Sequence, residues 1–157
     1  MAIIPGRQQA HPDKPFALFL IGMRINNLLA VHRWGPVATA MPRMQAELAR
    51  KPEAGMLWQK NFFSGRITLT LQYWQSLEQL FAYAHDREGE HFPAWAAFNR
   101  KLKDNRAVGI WHESYAVTPE QAENIYSNMP AFGLGAAIGI APALARMGGL
   151  RDPFPRG

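Results

Sequence analysis

The sequence contains no cysteine. That excludes disulfides, thiolate nucleophiles and cysteine-ligated zinc, and it suits a reducing cytoplasm, the expected location. It also lacks any uninterrupted apolar run of the ~20 residues a spanning helix needs. Phe16–Met23 is too short, and the glycine-rich tail "AFGLGAAIGIAPALARMGGL" is broken by Pro142 and Arg146. The tail therefore reads as a segment packed on the domain or on a partner subunit, without stable membrane insertion. No sequence of positive charge, apolar run and small-residue cleavage site opens the chain, so no secretory signal is expected. Gly133 and Gly135 form no phosphate loop, because the Lys-Ser/Thr pair is missing. A nucleophile elbow and a spaced acidic ligand set are missing too. Lys and Arg outnumber Asp and Glu by 17 to 12, but they are scattered, which reads as a solvated basic surface and not a nucleic-acid-binding face.

What is present fits one domain with an ordinary core: 157 residues, 48% of them hydrophobic. Residues 1–15, with Pro5, Gly6, Pro12 and Pro15, read as an extended arm. Residues 16–128 read as the folded domain, and 129–157 as the Gly/Pro-rich tail. Phe16–Asn26 has the length and apolar content of a buried strand. A helix is expected from about Pro36, where Val37, Met41, Met44 and Leu48 make one apolar stripe, with Pro42 kinking it or delaying its start. Met56–Phe63 and Arg66–Trp74 flank Ser64-Gly65 and predict a hairpin. In "RITLTLQYW" apolar Ile67, Leu69, Leu71 and Tyr73 alternate with Thr68, Thr70, Gln72 and Trp74.

Ser76 and Gln79 then predict a capped helix carrying Leu77, Leu80, Phe81 and Ala84. A second short helix is expected from Pro93, with Trp95, Phe98 and Leu102 on one face. Val108–Val117 reads as the last strand. Thr118, Pro119 and Gln121 predict a short helix to about Tyr126, followed by a loop "SNMPAFGLG". The order β-α-β-β-α-β is that of an α+β, ferredoxin-like split βαβ sheet with helices on one face. The expected open face groups Arg24 and Asn26 with Thr68, Thr70 and Gln72 and with Ile110, His112 and Ser114.

Chemistry centres on two histidines. His91 and His112 lie 21 residues apart, too far for a local metal motif. A helix return followed by a strand can still set them on opposite walls of one cavity. Histidine ligates metals and moves protons near neutral pH, and each is also compatible with a purely structural place. Trp74, Trp95 and Trp111 serve packing or a flat ligand. Arg24, on an apolar strand, needs an acceptor such as Glu113, a substrate carboxylate or a cofactor propionate.

The segments "LIGMRIN", "VHRW", "MPRM", "YWQS", "PAWAAFNR", "GIWHESY" and "NMPAFGLG", spanning Leu20 to Gly135, resemble a bacterial and fungal monooxygenase-like family of the dimeric α/β-barrel superfamily. The resemblance implies a homodimeric oxidoreductase acting on a small organic substrate in specialised metabolism. A more distant similarity is to haem-containing aldoxime dehydratases, carried by Tyr73-Trp74-Gln75-Ser76, by His91 with Trp95 and Phe98, by His112-Glu113, and by Tyr126 and Asn128. It implies haem b, with His91 as axial ligand to the iron, Trp95 and Trp74 in the cofactor pocket, and His112 as distal acid–base group. Glu113, Ser114 and Arg24 would assist. Those dehydratases carry two such half-domains per chain, so a homodimer would supply the other half. The sequence also resembles cofactor-independent, quinone-forming monooxygenases, in which His112 would act as the base. A non-enzymatic ligand-binding module stays open, because ferredoxin-like folds host many functions.

Overall fold

The computed structural model describes residues 2–86 and 106–143. A four-stranded antiparallel sheet is built from β2 (Phe16–Ile25), β3 (Met56–Ser64), β4 (Ile67–Trp74) and β5 (Val108–Val117), in the spatial order β3-β4-β2-β5. Helix α1 (Val31–Leu48) connects β2 to β3, and α2 (Leu77–His85) follows β4. Each connection spans one intervening strand, which is the split βαβ of the ferredoxin-like α+β fold. The predicted helix from Pro93 lies outside the described residues.

The hairpin turns on Gly65 and Arg66, one residue later than expected, with Ser64 and Ile67 as the closing pair; the Gly65 φ of 55° is the left-handed conformation that glycine adopts without cost. The Ser76 hydroxyl accepts the Gln79 N–H at 3.2 Å and caps α2. Only part of the apolar pattern predicted for α2 is buried: Leu80 enters the core with Leu77 packed against it, Phe81 is exposed, and Tyr83, outside that pattern, is buried as well. Helix α1 starts five residues earlier than Pro36 suggested, and both Pro36 and Pro42 lie inside it. Its stripe of Met41, Met44 and Leu48 still faces the sheet. The core proper joins Ala17, Leu48, Trp74, Leu80 and Tyr83, with Phe19, Met56 and Leu77 packed around them.

The terminal segments build a second sheet that local sequence signals did not announce. Strand β1 (Ile4–Gln9) lies between β6 (Tyr126–Met129) and β7 (Ala141–Pro142), antiparallel to both. The helix expected to run to Tyr126 is a single 3-10 turn, Pro119–Gln121, and the expected loop contains β6 and a short helix α3 (Leu134–Ile138). Ala10, Phe16, Tyr126 and Leu134 form a second small core there, joined by Tyr73, Val117 and Phe132. The Tyr126 hydroxyl accepts the Gly135 N–H at 2.9 Å, and the Tyr73 hydroxyl accepts a backbone hydrogen bond from Leu134. Two phenols thereby satisfy the otherwise unpaired N–H groups at the start of α3. Burial raises the pKa of both tyrosines, and for Tyr73 the neighbouring Tyr126 adds to the shift.

Candidate functional site

Strand register decides which side chains share a face, because directly opposed residues point the same way and neighbours along a strand point oppositely. Ile21 of β2 pairs with Thr70 on one side and His112 on the other; Phe19 pairs with Gln72 and Ser114. Phe19 and Trp74 pack against α1 and α2, so this is the helix-covered face. Gly22 pairs with Leu69 and Trp111, Leu20 with Leu71 and Glu113, and Arg24 with Ile67 and Gly109. These occupy the opposite face.

The register corrects the expected grouping. His112, Ser114, Thr70 and Gln72 share the helix side of the sheet, where His112 stays exposed, while Arg24 and Glu113 lie on the other side. Arg24 is exposed and donates to the Asn26 side chain, with no contact to Glu113. Glu113 accepts a hydrogen bond from the Tyr115 hydroxyl at 2.7 Å, which raises the Tyr115 pKa. It therefore cannot orient His112 from within the same strand. Polar Thr and Gln side chains looked like an open face, but partners on α1 and β3 satisfy them.

Those partners are functional candidates that sequence reasoning missed. Gln45 of α1 and Asn61 of β3 exchange hydrogen bonds through both amides, at 2.7 and 2.9 Å, and the Thr70 hydroxyl donates to Asn61 at 2.8 Å. Beside them Gln72 donates to Gln59 at 3.2 Å and accepts the Trp74 indole N–H at 3.0 Å. Trp74 is wholly buried, 5.8 Å from the Tyr83 ring. A cavity of about 40 Å³ lies between sheet and helices, lined by Phe19, Met41, Gln45, Gln72, Trp74 and Tyr83 among others. The His112 ring stacks at a tilt against Phe19, centroids 5.9 Å apart, with Ser114 two residues along on the same face. The helix side of the sheet thus carries one exposed imidazole, a group able to move a proton on an organic molecule, beside a small cavity of neutral amides and apolar walls that His112 and Ser114 do not line. The one signal that could have found the amides is the pair of glutamine and threonine residues on the same strand face as a buried tryptophan.

His91 and Trp95 lie outside the described residues. Among the described residues no group of three or more His, Asp or Glu side chains could hold a metal ion. The cavity of about 40 Å³ is far below the ~300–1,000 Å³ of ordinary ligand pockets.

Comparison with known proteins gives the following. The family model for monooxygenase af470-like proteins matches residues 16–134. No curated protein matches the sequence. Among solved structures, an aldoxime dehydratase in complex with butyraldoxime superposes with a TM-score of 0.64 at 17% identity, covering 86% of this chain and 39% of that one. A second aldoxime dehydratase gives 0.63 at 17% identity, covering 81% and 41%. SnoaB, a cofactor-independent oxygenase from Streptomyces nogalater, gives 0.46 at 11% identity, covering 64% and 90%. The chain thus spans about two-fifths of the aldoxime dehydratases whose fold it shares.

Proposed function

Because the chain belongs to the monooxygenase af470-like family, we propose that it is an oxidoreductase of specialised metabolism whose site lies around His112 on the helix side of the sheet. The observation that carries this reading is the register: it sets His112 and Ser114 beside Phe19, on the face that holds the cavity and its amides. In this reading the neutral imidazole of His112 removes a proton from an electron-rich substrate, and the deprotonated substrate itself supplies the electrons that reduce O₂. Ser114 orients the polar end of the substrate, Phe19 supports its apolar body beside His112, and the buried Trp74 and Gln72 hold that part of the sheet rigid from within the core. Arg24 and Glu113, on the opposite face, take no direct part. The protein acts in the cytoplasm, as a cysteine-free chain allows.

A second copy completes the molecule in this proposal. The face opposite the helices exposes Phe62, Ile67, Trp111 and Tyr115, and a sheet of this kind closes on a twin into a shared barrel. The match to less than half of each aldoxime dehydratase supports the same arrangement.

A second reading, nitrile formation from an aldoxime, is supported by the shared fold with a butyraldoxime-bound dehydratase. It calls for haem held by His91. Three assays test the proposal together: oxygen uptake with a panel of phenols and hydroquinones, nitrile formation from butyraldoxime, and the visible spectrum after adding haemin. Oxygen uptake without a Soret band supports the cofactor-free reading. A Soret band lost in His91→Ala but kept in His112→Ala, with nitrile formed, replaces it with the haem reading. Neither activity from any substrate in the panels counts against an enzyme and favours a binding module.

A further inference from the structure

The cavity between the sheet and the helices has a size and a lining that suit no organic substrate. Its volume is about 40 Å³. Benzene enters an apolar cavity of about 150 Å³, so this one leaves no room for an aromatic ring. Much of its wall is hydrocarbon and thioether, from Ile21, Met41, Met44, Leu48 and Leu80. Gln45, Gln72, Trp74 and Tyr83 supply the polar atoms of the lining, and each already has a partner. The Gln45 amide exchanges two hydrogen bonds with Asn61. Gln72 donates to Gln59 and accepts from the Trp74 indole. The Tyr83 hydroxyl donates to the Glu47 carboxylate at 3.3 Å. A buried water typically makes about three hydrogen bonds, and an ion needs more, so neither is well served here.

Such a space suits a small, uncharged, apolar molecule held by dispersion against polarisable atoms. Met41 and Met44 supply two thioethers, and both are half-buried on α1. Methionine is unbranched and turns about three bonds, so these two side chains can swing aside to admit a diatomic molecule from solvent. Phe19 ties the cavity to the chemistry. It lines the cavity, and its ring centroid lies 5.9 Å from that of the His112 imidazole. One side chain thus stands between the two.

We propose that this cavity is a docking site for dioxygen, from which O₂ passes Phe19 to a substrate held beside His112. The proposal rests on the reading of the chain as an oxygen-consuming enzyme and names where the second reactant waits. Size excludes the organic substrate, and the bonded amides, indole and phenol disfavour water and ions. Of the reactants in that chemistry, O₂ alone matches both the volume and the lining. The two reactants then approach from opposite sides of one phenyl ring.

Dioxygen is paramagnetic and speeds the nuclear relaxation of atoms it visits, so methyl NMR of the full chain under O₂ and under N₂ pressure reads its position. Leu48, Leu80 and Leu134 are each 4% exposed, but only the first two line the cavity. Expected is a relaxation enhancement several-fold larger at Leu48 and Leu80 than at Leu134. Leu48→Phe fills the space and should abolish the excess at Leu80. In an oxygen-uptake assay the same variant should raise KM for O₂ several-fold, and more than KM for the organic substrate. Equal enhancement at the three leucines of the wild type would overturn the proposal, and that measurement needs neither a variant nor a substrate. An ordered water found in the cavity by crystallography would overturn it too. So would oxygen uptake whose KM for O₂ is unchanged in a folded Leu48→Phe protein. Enhancement at Leu48 and Leu80 without oxygen uptake from any substrate would uphold the site and remove the oxygen-consuming reading.

Discussion

Replacing Gly22 with alanine tests the sheet architecture at its centre. A glycine inside a strand normally weakens it, and Gly→Ala at a compatible site stabilises by about 0.4–1 kcal/mol through the unfolded chain. At Gly22 the backbone is unstrained, but the space is filled. A Cβ built there lies 2.8 Å from the Thr68 carbonyl oxygen and 2.5 Å from the Trp111 Nε1. The indole can rotate away; the carbonyl belongs to the neighbouring strand β4 and cannot. Relieving that contact means shifting a central strand, and overpacking of this kind costs about 1–3 kcal/mol. The clash outweighs the entropic gain, so Gly22→Ala is expected to lose roughly 1–2 kcal/mol net. For a domain of this size that lowers Tm by about 3–8 °C. Urea denaturation and calorimetry on the wild type, Gly22→Ala, Trp111→Ala and the double variant read the effect. The double variant should recover only the share owed to the indole. A Gly22→Ala protein as stable as wild type, or more so, would refute the close packing of β2 against β4 and the placing of Trp111 over Gly22.

Three further outcomes follow from particular contacts. Gln72→Leu leaves the buried Trp74 indole N–H without its acceptor and should cost about 1–3 kcal/mol, while the Gln72→Leu, Trp74→Phe pair should show positive coupling in a double-mutant cycle. Ser76→Ala removes the cap of α2 and should cost about 1 kcal/mol by the same urea measurement. Tyr73 and Tyr126 hold their protons more tightly folded than unfolded. Their contribution to stability is therefore intact below the ordinary phenol value of about 10 and is lost as the pH rises through their raised folded values. Alkaline titration followed by circular dichroism should show this loss, and Tyr126→Phe should flatten it.

Much of the fold could be read from local pattern. The alternation in "RITLTLQYW" located β4, Ser64-Gly65 located the hairpin to within one residue, and Ser76 located the start of α2, because each signal is contained within a few residues. Failures arose where the deciding contact is distant. Thr70 and Gln72 looked like an open face until Gln45 and Asn61, from other elements, were seen to satisfy them. Strand period alone could not say whether Arg24 and His112 share a face, since that depends on how β2 and β5 are aligned. Their pairing, Ile21 with His112 and Arg24 with Gly109, separates them. The second sheet was illegible for the same reason, as β1 meets β6 across more than a hundred residues of chain. In α1 the prolines pointed to a later start, yet packing of Met41, Met44 and Leu48 on the sheet carries the helix through both.

The central claim is that the chemistry lies on the helix side of the sheet and not on the opposite face. Once a substrate is found by oxygen uptake or nitrile formation, the decisive measurement is kcat in His112→Ala beside kcat in Arg24→Ala and Glu113→Gln. Loss of a positioned proton-transfer group should lower kcat by about 10²–10⁴-fold in His112→Ala, and the two opposite-face variants should stay within a few-fold of wild type. An active His112→Ala protein alongside an inactive Arg24→Ala or Glu113→Gln protein would contradict the account and move the site to the other side of the sheet.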